Sequence, residues 1–112
     1  MTAVSKEHLN DEVLKAISQT ASAIMPEDAK VILFGSRARK AATSGSDWDI
    51  LVLLDKDKIE EQDHDRFTYP FGELGWRLNQ MIHPIIYSKN DWSRRKGSPF
   101  YENVESEGIV IC

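Results

Sequence analysis

The nine residues 47–55, DWDILVLLD, restrict the fold more than any other stretch of the chain. Between their acidic ends, Ile50 to Leu54 are apolar without a break. A strand with one wet face alternates apolar and polar residues, whereas one covered on both faces does not. This run falls far short of the roughly 20 apolar residues needed to cross a bilayer. The segment therefore predicts a central strand with other elements packed on both sides.

Its neighbours supply those elements. Residues 5–24 carry Leu9, Val13, Ile17 and Ile24 at helical spacing, with Leu14, Ala16 and Ala21 beside them and Ser5 as N-cap. VILF (31–34) reads as a short buried strand ending at Gly35. SRARKAA is a short helical turn with Ser36 at its cap, and TSGS is a loop. The charged run KDKIEEQDHDR is the hydrated start of a helix whose apolar face is Phe67, Phe71, Leu74 and Leu78. Pro70 and Gly72 predict a kink or break within it. MIHPIIY (81–87) is a third strand, and Pro84 places it at an edge or near a strand start. SKNDW begins a helical turn. Ser98, Pro99 and Gly108 mark the cap, first residue and end of a last helix, and IVIC (109–112) closes the chain as a strand. The order is α–β–α–β–α–β–α–β: a single domain over residues 1–112, of α/β (α+β-like) class, with a small mixed sheet of three to four strands and helices against it.

Composition removes several function classes. A net charge of −4 argues against a nonspecific nucleic-acid binder, which needs the opposite sign. Cys112 is the sole cysteine, so neither an internal disulfide nor a cysteine-based zinc site can form. The start of the chain has no basic-then-apolar leader pattern and no apolar run spans a membrane, so the expectation is a cytoplasmic protein.

The chemistry concentrates at the two ends of 34–54, FGSRARKAATSGSDWDILVLL. Along a strand, residues i and i+2 share a face about 6.5–7 Å apart, so Asp47 and Asp49 project together while Trp48 turns into packing. Two such carboxylates repel unless a cation lies between them. Hard divalent ions such as Mg²⁺ take oxygen ligands and keep substrate phosphates as others, and two-metal sites hold their ions about 3.5–4 Å apart. The plainer alternative is that Asp47 caps the loop and Asp49 is merely exposed. Gly35 at a strand end lets an anion approach the backbone, the amides of the next turn can hold phosphate oxygens, and Ser36 adds a hydroxyl. Arg37 and Arg39 either contact such a ligand or are solvated.

The residues Gly35, Ser36, Arg37, Ala38, Arg39, Ser46, Asp47 and Asp49 resemble the minimal nucleotidyltransferases of the DNA polymerase β superfamily, whose pattern is Gly-Ser, a helix beginning Arg-Ala-Arg, then Ser-Asp-x-Asp. Lys40 stands where glycine often follows the second arginine. The resemblance implies the nucleotidyltransferase fold and Mg²⁺-dependent transfer of a nucleotidyl group, AMP from ATP most simply, with release of pyrophosphate. It implies catalytic and metal-binding roles for Asp47 and Asp49. Gly35, Ser36, Arg37, Arg39 and Ser46 would then bind the nucleotide. Small members are often paired with a helical protein of the HEPN type, some as antitoxins that modify a toxin with AMP. A homo-oligomer is the other assembly open to so short a chain.

The family also carries a third carboxylate on the next strand, where this sequence has His83 in MIHPIIY. His83 is then either structural or a base. Glu73 and Asp91 are the acids that a neighbouring segment could bring close. Two functions follow: an enzyme, or a module that binds nucleotide or a partner without turnover. A glycosyltransferase-like use of Asp-x-Asp fits the small size and the early Gly-Ser less well. EEQDHD reads as a hydrated helix start and WSRRK (92–96) as a solvated loop. Trp76, Phe100 and Tyr101 read as packing or interface residues.

Overall fold

The computed structural model describes residues 6–39, 42–43 and 45–112. Helix α1 (Lys6–Ile24) leads into β1 (Lys30–Phe34), a 3₁₀ turn (Gly35–Arg37), β2 (Trp48–Leu54), α2 (Glu61–Phe67), α3 (Tyr69–Leu78), β3 (Ile82–Ser88), α4 (Lys89–Ser93), α5 (Pro99–Glu107) and β4 (Ile109–Val110). The sheet runs β3-β2-β1-β4, with β1 antiparallel to both β2 and β4 and β2 parallel to β3. This is the small mixed sheet expected from the sequence, and β3 lies at the edge that Pro84 favours.

Strand periodicity divides the core in two. Val31, Leu33, Trp48, Ile50, Val52, Leu54 and Ile82 face α1 and α3, where Val13, Ile17, Ala21, Phe71 and Leu74 meet them. Ile32, Leu51 and Leu53 face the other way, onto Trp92 of α4 and Val104 of α5. Both faces of β2 are thus covered, which is why its sequence does not alternate.

Local signals account for most boundaries. The Ser98 hydroxyl accepts a hydrogen bond from the Tyr101 amide at 3.2 Å. Pro99 opens α5 and Gly108 follows it. The helix expected across Phe67–Leu78 is broken: α2 ends at Phe67 with Thr68 as its cap, and Pro70, with no amide hydrogen to donate, sits in the first turn of α3. Asn79 terminates α3 in the left-handed region, with φ 54° and ψ 44°. That conformation is the usual one for a residue closing a helix, and asparagine tolerates it. The last strand is shorter than expected, although Ile111 donates to Val31 O (2.8 Å) and Val31 donates to Cys112 O (3.1 Å), continuing the pairing.

Three expectations need correction, one of them the hydrated reading of EEQDHD, whose Asp63 is buried. Ser36 does not cap the turn after β1; it lies inside it, and Phe34 takes the cap position without a side-chain bond. Trp92 is not part of a solvated loop. It is a buried centre of the second core cluster, ringed by Tyr87, Phe100 and Tyr101 at centroid distances of 5.7, 5.5 and 4.9 Å. Of the aromatics read as packing or interface residues, Phe100 and Tyr101 pack against that cluster, and Trp76 is 89% exposed. The Ser5 cap and residues 40, 41 and 44 lie outside the described residues.

At the far end of β2, the buried carboxylate of Asp63 accepts from Lys56 Nζ at 2.8 Å and from the Glu60 amide at 2.8 Å. The second of these bonds belongs to the capping box of α2. Burial pushes this carboxyl up, but the bonds from Lys56 and Glu60, with the charges of Lys56 and Arg66, outweigh it and leave it below its usual range. Its stabilisation is therefore complete above the unfolded value of about 3.9 and is lost as pH falls through the lower folded value. Asp63→Asn should lower stability to urea at neutral pH, with the difference from wild type shrinking as the medium is made more acidic than pH ~4.

Candidate functional site

The site forms where β1 ends and β2 begins. The antiparallel register sets Phe34 opposite Asp49, so the next residue of the chain, Gly35, reaches the Asp49 side chain. A Cβ added at Gly35 would lie 2.5 Å from Asp49 Oδ2, and Gly35 has φ +75°. The backbone angle strongly favours glycine, and any side chain there would have to displace the Asp49 carboxylate. The carboxylate fills the space a side chain would take, and the backbone turns through a conformation that other L-residues adopt only at a cost. Ser36 follows, half-buried, within the 3₁₀ turn. The first amides of such a turn have no intrahelical acceptor, so the turn offers donors beside an acid.

Asp47 and Asp49 flank Trp48. Trp48 is buried, donates from Nε1 to Gln80 Oε1 (3.1 Å), and its backbone amide donates to Met81 O (2.8 Å). With the indole held inside, strand alternation turns Asp49 to the opposite face, the one that carries α4 and α5 further along. Asp47 is exposed just before β2 begins, and the Asp49 side chain is 27% exposed. On the parallel neighbour, His83 is the register partner of Asp49, with Nδ1 3.6 Å from Oδ1 and the ring 61% exposed.

The two arginines part company. Arg37 is only 8% exposed; its guanidinium lies 4.4 Å from the Trp48 ring centroid and donates from Nη2 to Ser46 O (2.9 Å). Burial pushes its pKa down, but a guanidinium remains charged at any physiological pH. Arg39 points to α5, where it pairs with Glu107 at 3.1 Å. The Ser46 hydroxyl accepts from the Thr43 amide (2.9 Å), and the Ser46 amide donates back to Thr43 O (3.1 Å). Arg37 and Ser46 thus fasten the loop that delivers Asp47. Of the residues singled out in sequence, Gly35, Ser36, Asp47 and Asp49 meet at one end of the β1–β2 pair, while Arg37, Ser46 and Arg39 brace that end from behind and beside. Sequence reasoning missed the brace formed by Arg37, Trp48 and Gln80. The available signal was Trp48 itself, an aromatic set between two acids that must point inward if they point out.

Among the described residues, no three His, Cys, Asp or Glu side chains converge closely enough to form a closed metal cage. The acids instead make an open oxygen-donor site beside backbone donors, a pattern that suits a cation sharing its shell with phosphates and water.

Gly35→Ala should move the Asp49 carboxylate and lower the melting temperature, costing about 1–3 kcal/mol for a non-glycine residue in this backbone region. Arg37→Ala should also destabilise by about 1–3 kcal/mol through the lost buried hydrogen bond and ring contact. Arg39→Ala, which breaks an exposed pair, should stay within about 1 kcal/mol of wild type.

Comparison with known proteins identifies the family and fold. The nucleotidyltransferase domain family matches residues 11–107. Two proteins of Methanocaldococcus jannaschii, each named as a candidate protein adenylyltransferase, are similar to the chain. One is 28% identical over 101 residues, covering 89% of this chain and 96% of that one. The other is 31% identical over 110 residues, covering 92% and 99%. Among solved structures, a toxin–antitoxin protein crystallised with AMP-PNP shares the fold at a TM-score of 0.62 and 18% identity, over 88% of this chain and 72% of that one. A candidate nucleotidyltransferase from Sulfolobus solfataricus does so at 0.56 and 18%, over 97% and 87%. With its matched span reaching from α1 to the end of α5, the chain belongs to the nucleotidyltransferase domain family.

Proposed function

We propose that this protein transfers AMP from ATP to a hydroxyl group of a partner protein, using Mg²⁺ or a similar divalent ion. The observation that carries the reading is the Asp49 carboxylate beside Gly35 at the end of the β1–β2 pair, with Asp47 exposed just before that strand begins. A triphosphate would rest on Gly35 and the Ser36 turn, and Asp47 and Asp49 would hold the cation that it brings. Once bound, such an ion neutralises charge on the phosphates. The chain's own residues fix the positions of the acids and of the amide donors, which is the larger part of catalysis in phosphoryl-type transfer. In the reaction, an acceptor oxygen bonds to the α-phosphorus, the bond from that phosphorus to the bridging oxygen breaks, pyrophosphate leaves, and the acceptor proton passes to water.

The names of the curated relatives support a protein as acceptor. Structural neighbours from toxin–antitoxin pairs, one with AMP-PNP, support a nucleotide and a dedicated partner. A helical protein of the HEPN type is the partner we favour, with a second copy of the chain as the alternative assembly. No described helix is long and apolar enough to cross a membrane, and we place the protein in the cytoplasm, where MgATP is abundant.

A second reading has its own support. The entrance of β3 offers His83 rather than a third acid, which favours a module that binds nucleotide or partner without turnover. Intact-mass spectrometry separates the two. Incubation with the neighbouring gene product, ATP and Mg²⁺ should add one AMP mass to the partner and release pyrophosphate, and Asp47→Asn should reduce the rate by at least about 100-fold. Tight nucleotide binding with neither adduct nor pyrophosphate would establish the module instead.

A further inference from the structure

We propose that His83 is a metal ligand of this site and that, paired with Asp49, it makes the site prefer Mn²⁺ to Mg²⁺. The inference rests on the nucleotide–metal reading above and names the cation for it.

Register comes first. The parallel pairing of β2 with β3 sets His83 directly beside Asp49, and residues in register project from the same face. Spacing comes next. The 3.6 Å between His83 Nδ1 and Asp49 Oδ1 is too long for a hydrogen bond between them. Two donors bound to one cation at about 2.1–2.2 Å and at right angles lie about 3 Å apart. The pair therefore needs only a small shift to share an ion, well within a side-chain adjustment.

The ring is also free to do so. At 61% exposure it is not a packing residue, and the next same-face residues of β3, Ile85 and Tyr87, already fill the second core cluster. Asp49 lies between Gly35 on one side and His83 on the other, and its side chain is 27% exposed, so both carboxylate and imidazole can reach an ion placed between them.

Donor chemistry then decides the cation. Mg²⁺ demands oxygen ligands in near-ideal octahedral geometry and accepts imidazole poorly. Mn²⁺ lies at the boundary, accepting carboxylate, phosphate and water oxygens while binding more strongly than Mg²⁺ to nitrogen. A site that combines His83 with Asp49 and Asp47 and is completed by nucleotide phosphates and water fits Mn²⁺ better than Mg²⁺, and no three His, Cys, Asp or Glu side chains converge among the described residues to make a closed zinc centre.

The test uses the full chain, uniformly labelled with ¹⁵N, together with Mn²⁺ and α,β-methylene-ATP. Pulsed electron paramagnetic resonance should detect a ¹⁵N coupling to Mn²⁺; the unlabelled adenine carries ¹⁴N, so the signal can arise only from the protein. His83→Ala should abolish that coupling. In equilibrium competition, wild type should favour Mn²⁺ by about tenfold or more beyond the preference of free nucleotide, and His83→Asp should reverse the shift towards Mg²⁺. His83 is exposed on an edge strand, so both variants should keep the wild-type circular dichroism spectrum. Mn²⁺ binding that is lost in Asp49→Asn, shows no ¹⁵N coupling and is indifferent to His83 would overturn the inference and leave the nucleotide reading standing. Failure of wild type to bind nucleotide with any divalent ion would overturn both.

Discussion

The site depends on one close approach, that of the Asp49 carboxylate to the Gly35 backbone. It follows from the antiparallel register of β1 and β2, which runs from Lys30 opposite Leu53 to Phe34 opposite Asp49 and leaves Gly35 as the next step. That register is itself held by burial. Val31 and Leu33 on one face and Ile32 on the other must meet Ile50, Val52 and Leu51, and a slip of one residue would turn each of them towards the wrong layer. The apolar centre of the sheet therefore fixes the polar end of it.

Trp48 carries that constraint to the acids. Burial of its indole, with Gln80 on Nε1 and the Arg37 guanidinium stacked on its ring, leaves strand alternation no choice about where Asp49 points and fixes the backbone from which Asp47 extends. Arg37 joins three segments at once: the turn after β1, the loop through Ser46, and the start of β2. Two arginines separated by a single alanine thus serve different ends. One is a buried brace, and the other is an exposed tie from the turn to Glu107 at the end of α5. A set of acids supported in this way needs little rearrangement when charge arrives, which is what a transfer reaction dominated by positioning requires.

Much of this could be read from the residues. Unbroken apolar runs in VILF and ILVLL announced a sheet covered on both sides, and Ser98, Pro99 and Gly108 bounded α5. Phe67, Phe71, Leu74 and Leu78 gave the inner face of a helix that Pro70 divides. The Gly-Ser and Asp-x-Asp elements, singled out in the sequence, fall together at one end of the sheet. Other features stayed hidden because they depend on partners distant in the chain. Trp92 looked like the edge of a basic loop, yet Val104 and Tyr101 of α5 and Tyr87 of β3 enclose it. Arg37 was open to reading as a phosphate contact, but the loop to β2 folds back over it.

The sequence alone determined the element types, the two-sided core and the identity of the candidate site residues, because these follow from local periodicity, turn chemistry and residue type. Only the tertiary structure decided which of them meet. Asp49 faces Gly35 through one strand pairing and His83 through another, each reaching across a long stretch of intervening chain. Nothing local in the chain encodes such a pairing: it is settled when both layers of the core close and only one register buries every apolar side chain at once.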